Sequence, residues 1–456
     1  MGHTAGFGQG HDPQLCRRAL SADPQPRIPQ SGAAGRSRRG SACGGQLHRH
    51  HPGAAPDRCT RRACGAALRR RTVVALLQGG QLVNFDLSDE QNVVSDLAKQ
   101  IFEGHAPVER VKHVERAGDG FDRELWHELA NANLLGLCLP EDVGGSGFGL
   151  VELCMLLEQQ GRRVAPVPVW ATLALGALPI AEFGTPAQRT EWLPGVCAGN
   201  VVLSAALNER GADDALRPTV TALRSEHGWH LQGVKPTVPS AQFAARVLVP
   251  ARQDDGRIGV FLVNPADAGV QVQPVKATNH QPHAHLVIDT VVSADDRLGG
   301  ESGDGEEQLH FMLERALVGL CALQLGVCSA AIEQTAAYTS GRAQFGKPLS
   351  TFQAVGHQAA DAFILTEPMR VTMLQAAWRL VHGLPSRQEV LIAKYWASEA
   401  GQKVVHLCQH LHGGMGSDID YPIHRYFLWG VQNETTLGAG STQLARLGEL
   451  IAREGR

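Results

Sequence analysis

Between Ser88 and about residue 200, apolar side chains recur every three or four positions, the spacing of helices with one buried face. Ser88 and Gln91 predict a capping box that opens a helix with Val93, Val94, Leu97 and Ile101 on its apolar face. Leu125-Trp126, Leu129 and Leu134-Leu135 predict a further helix, and residues 150 to 163 another; the glycine-rich turn 139–147 lies between them. The pattern changes at Val201. Short runs rich in β-branched residues (201–207, 219–223, 229–231, 247–250, 259–263 and 285–292) alternate with Gly, Pro, Asn and Asp, as in a small β domain. After the acidic, glycine-rich linker 299–305, helical spacing returns to the end, with 307–338 as the longest element. Pro368 falls inside a later stretch of this helical pattern and predicts a kink or break.

The first 82 residues fit neither period. They carry thirteen Arg, no Lys and three acids among abundant Gly, Pro and His, a composition that cannot bury enough apolar surface to fold. A translation start upstream of the natural one, a disordered tail and an Arg-rich organelle transit peptide all fit this segment; the first leads because the helical pattern begins abruptly after Val83. The expected organisation is therefore α+β: an extension over 1–82, an α-helical domain over 83–200, a β-barrel-like domain over 201–298 and a four-helix bundle over 306–456.

The formal charge of -3 gives no electrostatic case for nucleic acid. Ten cysteines without a paired framework are expected to stay thiols, and Cys59 and Cys64 lack the second pair that a zinc site needs. The apolar stretch 167–183 is interrupted by Gly176 and Pro179 and falls short of the roughly 20 residues that span a bilayer. A cytoplasmic protein without membrane contact is expected.

Two segments carry chemistry. Arg342-Ala-Gln-Phe-Gly-Lys-Pro-Leu-Ser-Thr-Phe-Gln353 places a guanidinium, able to meet phosphate oxygens through two donors, before aromatic and amide side chains. Leu411-His-Gly-Gly-Met-Gly416 offers a turn where backbone can come close to a ligand. Together and in this order they resemble the C-terminal domain of the acyl-CoA dehydrogenase family. The turn 139–147 and residues 184–194 are similar to its N-terminal domain.

The resemblance implies FAD as cofactor and an acyl-CoA thioester as substrate, α,β-desaturated with electrons passing to an electron-transfer flavoprotein. It implies FAD contacts from Arg342, Gln344, Phe345, Phe352 and Gln353, from Leu411, His412, Gly413 and Gly414 of an adjacent subunit, and from Ser441, Thr442 and Gln443. A homo-oligomer or a heterotetramer with a paralogous subunit follows from that sharing. Many members carry their proton-abstracting Glu where this chain has Ala439. Others carry it on the first helix of the bundle, before an Arg, and Glu314-Arg315 stand there: Glu314 is the expected base and Arg315 a substrate contact. They are also the only full charges between Glu307 and Glu333, which leaves open a short solvated stripe instead. No metal is expected from His406, His410 and His412.

The middle domain departs from the family pattern. The segment 207–214 replaces a Thr-Glu-Pro-x-x-Gly-Ser-Asp motif that lines the flavin, and 233–239 places Thr237 where an aromatic lies beside the ring. Leu-Asn-Glu at 207–209 and the segments 410–416 and 421–426 look most like the actinobacterial branch acting on sterol side chains and other bulky acyl-CoAs, where one of two unlike subunits supplies the base. A non-catalytic partner subunit is thus the alternative to a complete dehydrogenase, ahead of an oxidase or a nucleic-acid-binding relative.

Overall fold

The computed structural model describes residues 87–454, apart from 118 and 211–213, together with two short paired strands, β1 (Ala75–Leu76) and β2 (Leu82–Val83). The expectation for residues 1–82 otherwise lies outside the described residues. Six helices come first: α1 (Asp89–His105), α2 (Val108–Ala117), α3 (Arg123–Asn131), α4 (Leu150–Arg163), α5 (Leu178–Phe183) and α6 (Pro186–Cys197), with a π-helical stretch over Trp170–Ala177 leading into α5. The predicted capping box is present: Gln91 N–H donates to Ser88 Oγ at 3.1 Å and Ser88 N–H to Gln91 Oε1 at 3.0 Å. The buried face of α1 is Val94, Ala98 and Phe102, whereas Val93 and Leu97 are exposed. α1 packs on α4, and the buried Ala98 belongs to the inner face of α1 although its small side chain weighs little in an apolar periodicity.

The middle strands are β3 (Leu203–Ala205), β4 (Thr221–Ser225), β5 (Gly228–Pro239), β6 (Arg246–Gln253), β7 (Ile258–Val263), β8 (Val270–Lys276) and β9 (Pro282–Val292). They form one curled sheet in the order β3-β6-β4-β5-β9-β8, with β7 on β6. Its concave side holds a separate core around Trp229, Leu231, Val249, Phe261 and Leu286.

The long α7 (Gly305–Gly341), capped by Asp304, then runs through the centre of the helical region. It is long and apolar enough to cross a membrane by composition, yet its apolar window is 83% buried against other elements of the chain. A hairpin of β10 (Ala343–Gln344) and β11 (Lys347–Pro348) leads into α8 (Gln353–Val381), α9 (Arg387–Leu411), α10 (Ile423–Thr435) and α11 (Gly440–Glu454). α8 continues through Pro368 without the expected break. One turn later Thr372 Oγ1 donates back to the Pro368 carbonyl at 2.7 Å. Glu115 holds Arg425 through both carboxylate oxygens, at 2.8 to 3.1 Å, and so pins α2 to α10.

Candidate active site and dinucleotide surface

The segments expected beside a flavin ring do converge. Leu207, Asn208, Thr237, Pro239, Thr436 and Leu437 line one cavity of ≈ 220 Å³, together with Trp170 and His283. A bulge brings this about: the pairing of β5 with β9 shifts between Lys235 and Val238, and Thr237 takes a left-handed φ of 47°. Thr237 is held there by its N–H, which donates to His285 Nδ1 at 3.1 Å, and by Asn208 Nδ2, which donates to Thr237 Oγ1 at 2.9 Å. Behind them the Lys235 ammonium is buried against Glu209, whose carboxylate also accepts from Thr219 N–H and Oγ1–H. That pair satisfies itself and does not line the cavity.

Among the described residues lining this cavity there is no carboxylate. Its single titratable side chain of ordinary acid–base range is His283, whose Nδ1 meets the Gln281 carbonyl at 3.3 Å and whose pKa is pushed down by burial. The residues fit a flavin ring poorly. Ligand pockets begin near ~300 Å³, and Pro239 has no N–H to offer.

Glu314 lies elsewhere. Trp170 Nε1 donates to the Ala316 carbonyl at 3.0 Å, and a Cβ on Gly319 would stand 2.9 Å from the Trp170 ring, so α7 presents 316 and 319 to the cavity side. At 3.6 residues per turn, Glu314 points about 200° away from Ala316. It lines two adjoining cavities, ≈ 730 Å³ and ≈ 350 Å³, with His310 and Arg387. Its side chain is 19% exposed, and Arg387 Nε stands 3.9 Å from Oε1. Burial raises its carboxyl pKa, while Arg315 and Arg387 oppose the shift. Arg315 opens into the larger cavity; its guanidinium lies over the Phe311 ring at 3.2 Å, and burial pushes its pKa down to about 10. The helical register thus separates the expected base from the ring-side segments, because two residues along a helix nearly reverse direction.

The turn after α10 bears Ala439. Leu437 (φ 58°) and Gly438 (φ 100°) are left-handed there. Lys394, fully buried on α9, donates to Ser398 Oγ and to the carbonyls of Asn433 and Glu434, each at 2.9 Å. Gln443 Nε2 donates to the carbonyls of Leu437 and Gly438 at 3.1 and 2.9 Å. Gln443 is therefore a buried clamp on its own turn, not a group presented to a cofactor, although Ser441 is exposed and Thr442 half-buried. Sequence reasoning missed Lys394, whose only signal was a lone cation inside an apolar helical stretch.

The dinucleotide segments are brought together at the other end of α7. Arg342 caps that helix, and Gln344, Phe345 and Gln353 are all exposed, Phe345 at 91% with a φ of 54°. Phe352 meets Phe345 edge-on at 6.2 Å and carries Lys347 Nζ 4.3 Å above its ring. Leu411 is half-buried, and Gly413 and Gly414 are exposed, with nothing within 4 Å of the Cβ that either would carry. His412 is only 2% exposed: its Nδ1 meets the Cys408 carbonyl at 2.7 Å, and its Nε2 is buried without a partner. Its ring stacks on Tyr338 at 4.4 Å, one turn before Arg342, so α7 and the glycine turn form one surface. Guanidinium, aromatic rings and open backbone on that surface fit the pyrophosphate and adenine end of a dinucleotide. Among the described residues no group of His, Cys, Asp and Glu could hold a metal ion.

Comparison with known proteins agrees with this architecture. Residues 88–200 match the acyl-CoA dehydrogenase N-terminal domain and 304–453 the C-terminal domain. Acyl-CoA dehydrogenase FadE27 of Mycobacterium tuberculosis is 34% identical over 379 residues, 81% of this chain and 99% of that protein. Among solved structures, the Tcur3481-Tcur3483 steroid ACAD is 47% identical with a TM-score of 0.76, over 80% of this chain and 99% of that one. The ChsE4-ChsE5 complex from Mycobacterium tuberculosis is 35% identical, also at 0.76, over 81% and 99%. With both terminal domains matched and the curled sheet between them, this chain belongs to the acyl-CoA dehydrogenase family of oxidoreductases.

Proposed function

We propose that this chain is the partner subunit of a heteromeric acyl-CoA dehydrogenase, completing an FAD site whose ring and base are held by a paralogous subunit. The observation that carries this reading is the ring-side cavity: it is small and has no carboxylate among its described lining, which does not include Glu314. The outward surface around Arg342 and Gly413-Gly414 keeps the features that a dinucleotide needs. Arg342 would hold the pyrophosphate through two charge-assisted bonds, and the open glycine turn would let backbone approach it. Bound FAD supplies a hydride acceptor for the substrate β-carbon. The substrate class is a bulky CoA thioester, by analogy with the steroid ACAD pair, and the electrons leave to an electron-transfer flavoprotein in the cytoplasm.

The raised carboxyl of Glu314 is the one observation that favours a homomeric enzyme with its own base. One experiment separates the two. The chain is purified alone and after co-expression with an acyl-CoA dehydrogenase paralogue, and flavin absorbance and anaerobic bleaching by a CoA thioester are recorded. Flavin and bleaching that appear only with the paralogue support the partner reading; full loading and bleaching of the lone chain refute it.

A further inference from the structure

Gly413 and Gly414 are open, but the residue before them is not. The resemblance implies a cofactor contact for His412, yet its side chain is only 2% exposed. Its Nδ1 donates to the Cys408 carbonyl at 2.7 Å, so the neutral ring carries its hydrogen there and leaves a lone pair on Nε2, buried and without a partner. The ring stacks on Tyr338 at 4.4 Å and 24°, and Tyr421 lies tilted against it at 5.3 Å. Tyr338 Oη donates to the His412 carbonyl at 3.4 Å, and the Tyr338 carbonyl accepts from Arg342 N–H at 2.8 Å. One aromatic contact therefore joins the backbone that leads into Gly413-Gly414 to the backbone that carries Arg342. At the far end, Gln409 Nε2 closes the turn on the Gly416 carbonyl at 3.0 Å.

We infer that His412 is a positioning residue for FAD: its neutral ring, stacked on Tyr338, sets Gly413-Gly414 against Arg342, and the cofactor is held tightly in that form alone. This role rests on the reading of the surface as a dinucleotide's, and adds the side chain that aligns it and the protonation state it needs. An imidazolium at this place carries a second N–H with no acceptor, and opening the turn to water is what relieves it. Burial pushes the His412 pKa down, with the Cys408 carbonyl opposing. Tyr338 of α7 and Tyr421 ahead of α10 are the titratable side chains whose rings face it; Arg342, His410, Asp418 and Asp420, close by along the chain, are exposed. As pH falls below the ordinary histidine value of ~6.5 and through the lowered one, the neutral ring is lost and the grip on FAD loosens with it.

The test measures FAD dissociation constants of the co-expressed enzyme by flavin fluorescence, and hydrogen exchange across residues 409–418 in the lone chain. His412→Ala is expected to weaken FAD at least ~10-fold and to speed exchange in that segment, the scale of a lost ring contact and hydrogen bond together. His412→Phe keeps the ring and cannot be protonated. It is expected to bind FAD within ~3-fold of the parent at pH 7.5, while the parent weakens at least ~3-fold more than this variant on going to pH 5.5. Tyr338→Leu, at a half-buried position, is expected to act like His412→Ala and carries the test if the alanine variant does not fold. Parental affinity in folded His412→Ala, a phenylalanine variant no better than the alanine one, or parallel pH profiles of parent and phenylalanine variant overturns the inference. A parent pair that holds no FAD counts instead against the proposed function, and unchanged exchange in the lone His412→Ala chain then overturns the positioning role by itself.

Discussion

The turns at Gly413-Gly414 and Leu437-Gly438 both use left-handed backbone, but one is open and the other clamped. Nothing lies within 4 Å of a Cβ on Gly413 or Gly414, while Lys394 and Gln443 engage four carbonyls in and around the second turn. A non-glycine residue such as Leu437 in that region costs of order 1–3 kcal/mol and persists only where neighbours hold it. The difference teaches that the two flavin-related regions have separate fates. The ring-side turn is complete within the chain. The surface around Arg342 is open, with Phe345 91% exposed and nothing within 4 Å of a Cβ on Gly413 or Gly414, as the proposed FAD contact requires.

The largest effect that would break this comparison is catalytic. Co-expression with a paralogue should raise the rate of flavin bleaching by ~10²-fold or more over the chain alone, the range of general-base catalysis; equal rates in the stopped-flow instrument would show that the ring-side region is active after all. The rigidity of the clamped turn can be tested through pH. Burial depresses the Lys394 ammonium to about 8, with Cys321 and Glu434 opposing, against about 10.4 for a free lysine. Between these values the unfolded chain binds the extra proton, so stability climbs as pH rises through the window and the gain is lost as pH falls through 8. The climb amounts to at most about 3 kcal/mol. Lys394→Met should flatten it in urea denaturation at pH 7.5 and 10; an unchanged slope would mean that Lys394 does not titrate in the folded chain.

On the open surface, Arg342→Ala should weaken FAD retention in the co-expressed enzyme by about 1.5–3 kcal/mol, one charge-assisted contact, without lowering the melting temperature of the lone chain. Flavin content after gel filtration reads this directly. The smallest effect is expected at Glu314. Glu314→Gln should leave bleaching by the co-expressed pair within ~3-fold, because the side chain lies across α7 from the ring-side segments. A ~10²-fold loss would restore Glu314 as the base.

Much of the fold was legible because it is local. The Ser88–Gln91 cap, the helix-to-strand change at Val201 and the return to helix after the glycine-rich linker depend on neighbours a few residues apart. The surface proposed for the dinucleotide was singled out for a related reason: arginine and paired glycines do a job that few other residues can. The ring-side segments were named by the resemblance, but their meeting was not legible. Asn208, Thr237 and Thr436 are far apart in sequence, and only the β5 bulge and the turn after α10 bring them together.

What the sequence determined by itself, then, was the family architecture and the residue types of the surface proposed to grip FAD, since both are written in short-range patterns of side-chain type. The tertiary structure alone decided the direction in which Glu314 points and the inward turn of Gln443. Each depends on which face of an element meets a distant neighbour: on α7, two residues separate a position beside Trp170 from one facing away from it, and residue spacing alone does not say which face packs where.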